Sequence, residues 1–245
     1  MRLESFGRTE LGGGQENQDA LCVRSELGLF AIADGIGGRP GGREASGMAL
    51  EALAAELGAL DEARRAEKPA LLAALRSVNA TVVQAGVSDT TLAGLGTTLS
   101  AVVSGGKKLA LLHVGDSAIY RLGGAGLEKL TREHTLALEL VTQNRLSEEQ
   151  AQRHPLRHHL ARYIGATGPY EPDLDEVELA PGEWLLLVTD GLHKSIAEAE
   201  LERLALERSA GGAKAICDGV VERALAHGAR DNLTLLVVGR PGSPR

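Results

Sequence analysis

Short apolar runs recur along the chain at residues 20–23, 29–33, 98–103, 109–114, 118–122, 184–188 and 233–238. Their length and their β-branched and leucine content predict strands. Some are separated by little more than turn residues, such as Gly105-Gly106-Lys107 and Gly115-Asp116-Ser117. Connections that short predict antiparallel pairing, because parallel neighbours need a long crossover. Elsewhere the apolar period lengthens to three and four, which predicts helices. One begins near Gly42 and runs through residues 48–53, a second covers 70–84, and a third covers 213–226. A shorter helix is predicted around 147–153, where Ser147 and Gln150 have the spacing of a capping box. The order is strands, a helix pair, more strands, a helical insert, then strand, helix and strand. That order predicts an α+β layered sandwich and excludes a repeating βαβ fold.

Composition adds bounds. The 245 residues are 43% hydrophobic and 24% charged, ordinary for a globular chain, but only 2% aromatic, so Leu, Val, Ile and Ala must fill the core. One domain over residues 1–240 with a frayed tail at 241–245 is expected. The net charge of −7 supplies no basic footprint for nucleic acid. Cys22 and Cys217 lack zinc-ligand spacing and read as small buried hydrophobes. Residues 1–7 contain no apolar signal segment, and apolar runs such as 184–188 are too short to cross a bilayer. A cytoplasmic protein with no membrane partner is expected.

The chemistry is carried by acidic residues at strand ends. The runs at 29–33, 109–114 and 184–188 lead into Asp34-Gly35, Gly115-Asp116-Ser117 and Thr189-Asp190-Gly191. Asp19 and Asp231 stand just before the runs at 20–23 and 233–238. One such Asp is ordinarily a turn former. Several converging at one sheet edge would repel and raise one another's pKa, and divalent cations relieve that penalty. An all-oxygen ligand set suits Mg2+ or Mn2+. The stretch Asp34-Gly35-Ile36-Gly37-Gly38-Arg39-Pro40-Gly41-Gly42 is a glycine-rich loop feeding a helix, but it matches neither the phosphate loop of NTPases nor a dinucleotide fingerprint.

The ordered set Glu16-Asn17-Gln18-Asp19, Asp34-Gly35-Ile36-Gly37-Gly38, Gly96-Thr97-Thr98, Val114-Gly115-Asp116-Ser117, Leu130-Thr131-Arg132-Glu133-His134, Thr189-Asp190-Gly191-Leu192 and Asp231-Asn232-Leu233-Thr234 resembles the bacterial type-2C protein phosphatases, the metal-dependent serine/threonine phosphatases. It runs over residues 12–238. The resemblance implies a four-layer α-β-β-α sandwich of two antiparallel sheets flanked by helices. It also implies a centre of two Mn2+ or Mg2+ ions, with a third, looser ion. Asp34 would bridge both metals, the Gly35 carbonyl would bind the second, and Asp190 and Asp231 would complete the first. Asp19 would act through water, Asp116 would hold the third ion, and residues 140–165 would form a mobile flap. The implied reaction is hydrolysis of phosphoserine and phosphothreonine by a water shared between the metals, without a covalent intermediate. Asp34, Asp190 and Asp231 would be its essential residues. The partners would be phosphorylated proteins, serine/threonine kinases and their targets among them, met by a monomer.

The sequence departs from that family where an arginine usually grips the substrate phosphate; the position is Gly14. Gln18 replaces the usual Glu. Arg8 and Arg39 are the candidate replacements, with Arg39 in the glycine loop preferred, and a high Michaelis constant is expected if neither serves. The seven histidines, including His134, His158 and His159, read as surface or structural groups, and Thr97 and Thr98 as strand-packing residues. The alternatives are a catalytically weak phosphoprotein-binding regulator of the same fold, which Gly14 favours, and a metal-dependent hydrolase of a small phosphate ester.

Overall fold

The computed structural model describes residues 3–37, 41–106, 108–168 and 171–242. Strands β1 (Glu4–Glu10), β2 (Asp19–Arg24) and β3 (Leu29–Asp34) precede helices α1 (Gly42–Gly58) and α2 (Lys68–Ser88). Strands β4 (Leu99–Gly105), β5 (Lys108–Val114), β6 (Ala118–Gly123) and β7 (Gly126–Lys129) follow, then the short helices α3 (Leu136–Thr142) and α4 (Glu148–Gln152). The chain closes with β8 (Asp173–Val177), β9 (Trp184–Val188), α5 (Asp190–Ser195), α6 (Glu198–Arg208), α7 (Gly212–Ala226) and β10 (Leu233–Gly239).

The strands form two five-stranded sheets, ordered β1-β10-β9-β6-β7 and β2-β3-β4-β5-β8, and every pairing is antiparallel. Alternation along each strand assigns its two faces. On β3, Leu29, Ala31 and Ala33 point to α1 and α2, while Phe30 and Ile32 point to the other sheet. On β9, Trp184, Leu186 and Val188 pack under α6 and α7, while Leu185 and Leu187 face inward. Both faces of the central strands are therefore covered, which is why they read as unbroken apolar runs. The result is the expected α-β-β-α sandwich.

Every strand expected from the apolar runs is present, and the helix expected at 70–84 extends to Lys68–Ser88. That helix is long and apolar enough by length and composition to cross a membrane. In the fold, Leu71, Leu75, Val78 and Val82 are fully buried, and the helix packs along α1. At α4 the capping box forms: Ser147 Oγ accepts from the Gln150 N–H at 3.2 Å, and Gln150 Oε1 accepts from the Ser147 N–H at 2.8 Å. Strands β1, β7 and β8 and helices α3, α5 and α6 were outside the sequence expectations. Cys22 and Cys217 are buried free thiols, as expected; burial raises both pKa values, that of Cys217 to about 12.

One edge of the sandwich collects the start of β2, the end of β3, the end of β5, the end of β9 and the start of β10. Asp19 stands opposite Asp34 in the β2–β3 ladder, and Leu99 stands opposite Val114 where β4 begins and β5 ends. The strand-end aspartates therefore share one edge.

Candidate metal centre

Asp34 is fixed by its backbone. Its N–H donates to Thr98 Oγ1 at 3.0 Å, and its carbonyl accepts from the Thr98 N–H at 2.9 Å and from Thr97 Oγ1 at 2.9 Å. Thr98 Oγ1 also lies 2.9 Å from Ser117 Oγ, which ties the loop carrying Asp116 to the same post. Thr97 and Thr98 are thus more than packing residues: they hold Asp34. At Gly35 an added Cβ would lie 2.2 Å from the Gly42 carbonyl oxygen, so only glycine lets the strand end pass this close to α1.

Asp19 joins the two sheets. Its Oδ2 accepts from Thr189 Oγ1 at 2.9 Å and from Thr234 Oγ1 at 2.6 Å, both in the opposite sheet. Its Oδ1 is buried without a hydrogen-bond partner among the described residues. A buried acceptor left unpaired is costly, and a cation or cation-bound water is the kind of partner that satisfies it.

Asp190 opens α5 directly after β9, and Asp231 precedes β10. The Asn232 N–H donates to Asp231 Oδ1 at 3.0 Å. Asn232 Oδ1 accepts from the Gln18 N–H at 2.8 Å, and its Nδ2 donates to the Leu11 carbonyl at 2.9 Å, binding the Asp19 loop to the Asp231 loop. A Cβ at Gly191 would lie 1.9 Å from the Asn232 carbonyl oxygen, so the α5 turn can abut this loop only with glycine there.

The carboxylates feel one another. Asp34 is raised well above the ordinary carboxyl range by burial first and then by Asp19, Asp190, Asp116 and Asp231. Burial raises Asp116 to about 7, with Asp190 and Glu133 adding to it. Asp19 rises to about 6, again chiefly through burial, against the lowering pull of its two threonine hydrogen bonds. Lys194, one turn after Asp190, places Nζ 2.7 Å from Asp190 Oδ2 and 2.8 Å from Asp231 Oδ2. Burial opposes its charge, but the two aspartates outweigh it and raise its pKa. With these side chains so turned, no group of three acidic, histidine or cysteine side chains among the described residues is already gathered at ligand distance.

A cavity of about 670 Å3 lies over this edge, lined by Asp34, Gly35, Asp116, Asp190, Lys194 and Asp231 on its floor. Its far wall is His158, His159, Leu160 and Tyr163. The segment expected as a flap, 140–165, holds the end of α3, all of α4 and a turn at 155–158. Bridges at Thr135–Leu160 and Thr97–Ile164 pin its base, and Ile164 is fully buried. Between these bridges, residues 136–159 fold as α3, α4 and that turn, with Ala137 and Ala151 buried, and His158 and His159 line the cavity. His134 is structural, as expected. Its Nδ1 accepts from the Gly115 N–H at 3.2 Å, which leaves Nε2 to donate to Asp173 Oδ2 at 3.1 Å.

Of the candidate phosphate-gripping arginines, Arg8 is not at the site. It bonds Glu10 at 2.6 Å and Asp218 at 3.1 Å, on the side of β1 facing α7. Arg39 lies outside the described residues. Gly14 sits against Asn232, whose Nδ2 would be 2.9 Å from an added Cβ. Lys194 escaped the sequence reading because a lysine four residues after an aspartate is an ordinary helical surface pair.

A family model described as "Protein phosphatase 2C" matches residues 6–234. The serine/threonine phosphatase stp of Listeria innocua is 34% identical over 232 residues, which span 94% of this chain and 88% of that protein. The crystal structure of the Mycobacterium tuberculosis serine/threonine phosphatase PstP/Ppp superposes with a TM-score of 0.85 at 29% identity, covering 98% of this chain and 99% of that one. The catalytic domain of the serine/threonine phosphatase PstP in complex with two manganese ions superposes with a TM-score of 0.77 at 28% identity, covering 97% of each chain. Fold, carboxylate edge and kinship agree, and the chain belongs to the protein phosphatase 2C family of metal-dependent serine/threonine protein phosphatases.

Proposed function

We propose that the chain hydrolyses phosphoserine and phosphothreonine in proteins with two Mn2+ or Mg2+ ions held at the carboxylate edge. One observation carries the reading: Asp34, Asp116, Asp190 and Asp231 line one cavity with Asp19 buried beside them, a crowding of carboxylates that doubly charged ions relieve. The donors fit such ions. All are oxygens, and Asp19 Oδ1 is a buried acceptor without a partner among the described residues. When bound, the ions supply an acidified water as nucleophile and neutralise charge on the phosphoryl oxygens.

The chain's own residues do the rest. Asp34 and the Gly35 carbonyl, with Asp190 and Asp231, would hold the two ions; Asp19 would act through water, and Asp116 would hold a third ion. Thr97, Thr98, Thr189 and Thr234 hold Asp34 and Asp19 in place through the hydrogen bonds given above. His158, His159, Leu160 and Tyr163 line the cavity beside the carboxylates.

As further parts of this reading, residues 1–240 act as one catalytic domain, working as a cytoplasmic monomer, and the substrates include serine/threonine kinases and their targets. A catalytically weak phosphoprotein binder remains the second reading, favoured by Gly14 alone. Turnover of a phosphothreonine peptide tests the choice. The proposal expects activity with Mn2+, loss on chelation, and a drop of at least about 100-fold in Asp190→Asn. Binding of the peptide without turnover, at any manganese concentration, would establish the binder instead.

A further inference from the structure

The helix α5 begins at Asp190, and one turn later it returns a cation to the same place. Lys194 Nζ contacts Asp190 Oδ2 at 2.7 Å and Asp231 Oδ2 at 2.8 Å. Both oxygens of Asp231 are thereby engaged, since Oδ1 accepts from the Asn232 N–H at 3.0 Å. A Mg2+ or Mn2+ ion binds carboxylate oxygen at about 2.1 Å. On Asp231 Oδ2 such an ion would stand close to the ammonium 2.8 Å from the same oxygen, and the two cations would repel. The lysine side chain is half exposed, with a relative accessibility of 46%, so it has open solvent and the 670 Å3 cavity to move into.

We propose that Lys194 is a built-in counter-cation that is exchanged for the divalent ion at the Asp190–Asp231 pair. In the ion-free chain it partly neutralises two carboxylates that would otherwise repel each other and Asp34. Loading the site then requires the ion to displace it, so occupancy follows the free ion concentration over a higher range than the carboxylates alone would set. The inference rests on Asp190 and Asp231 being metal ligands, as in the proposed function.

The test is a Mn2+ titration by calorimetry on chelator-stripped protein, with parent, Lys194→Met, Lys194→Gln and Lys194→Arg compared, and with thermal melts of each in chelator and in excess Mn2+. Exchange predicts that both neutral variants bind Mn2+ about two- to fivefold more tightly, the upper range for losing an exposed ion pair. Lys194→Arg stays near the parent, because its charge remains. The neutral variants should also melt lower than the parent in chelator and level with it in excess Mn2+, whereas a lysine with a merely structural role would give the same deficit in both conditions. Equal or weaker binding by both neutral variants, or a melting deficit as large in excess Mn2+ as in chelator, overturns the exchange. A parent protein that binds no Mn2+ at millimolar concentration overturns the metal-centre reading itself, which separates the two failures.

Discussion

Asp116→Asn should stabilise the ion-free protein, and the gain should depend on pH in a way fixed by the site. Burial, then Asp190 and Glu133, raises the Asp116 carboxyl from 3.8 to about 7. Each pH unit between those values is worth about 1.4 kcal/mol against the ionised form in the fold. The full interval is therefore roughly 4 kcal/mol, and halving it for partial exposure and relaxation leaves about 2 kcal/mol. The sign follows from linkage. A carboxyl whose folded pKa exceeds its unfolded one gives no penalty below about pH 4, loses stability as pH rises toward 7, and levels off above it. Asparagine keeps the size and cannot ionise. In chelator, the melting temperature of Asp116→Asn should match the parent near pH 4 and exceed it by about 4–8 °C at pH 8. Excess Mn2+ should shrink or reverse the gain, because the parent then gains a ligand's worth of binding. A variant that melts below the parent at pH 8 in chelator, or one whose gain is the same at every pH, would refute the reasoning.

Gly191→Ala should cost about 3 kcal/mol or more in urea unfolding, because its Cβ would fall 1.9 Å from the Asn232 carbonyl oxygen; a cost under 1 kcal/mol would show that the α5 turn gives way freely. The same variant should lose Mn2+ affinity, since Asp190 and Asp231 are set by that contact. His113 is buried, with its pKa pushed down to about 3 by burial and then by His134. The unfolded chain takes up a proton below about pH 6.5 that the folded one refuses, so stability is intact above that pH and falls as pH drops toward 3, by about 1.4 kcal/mol per pH unit for this group. In His113→Gln the stability–pH slope between pH 6 and 4 should be shallower by that amount, measured by denaturant melts; an unchanged slope would acquit His113.

The layered fold was legible because the central strands are buried on both faces. Trp184, Leu185, Leu186, Leu187 and Val188 alternate between the α6–α7 layer and the inner sheet interface, so none needs to be polar. Three of the four edge strands, β1, β7 and β8, escaped for the converse reason. Strand β8 runs Asp173-Leu174-Asp175-Glu176-Val177 with three of its five positions exposed, and its charges look like loop chemistry. Helix α6 carries a readable stripe of Leu201, Leu204 and Ala205, but charged neighbours dilute it. Among the acidic residues, Asp34, Asp190 and Asp231 stood out because strand-end carboxylates recur in one ordered set, where any one alone reads as a turn former. Asp34, Asp116, Asp190 and Asp231 line one cavity, with Asp19 bonded across the sheets behind them. What holds them was not legible. That Thr189 and Thr234 grip Asp19 depends on the two sheets facing each other, and that Lys194 reaches Asp231 depends on β9 and β10 being neighbours. Neither fact is local in sequence. Arg8 was proposed on sequence proximity to Gly14, and Glu10 and Asp218 claim it instead.

The most direct test of the centre is the stoichiometry of Mn2+ binding to chelator-stripped protein, parent against Asp34→Asn, by calorimetry with electron paramagnetic resonance of the free ion. Asp34 alone would bridge both principal ion positions. The account predicts two tight ions per chain in the parent and loss of both in Asp34→Asn, while the variant stays folded. Two ions bound with parental affinity in Asp34→Asn would contradict it.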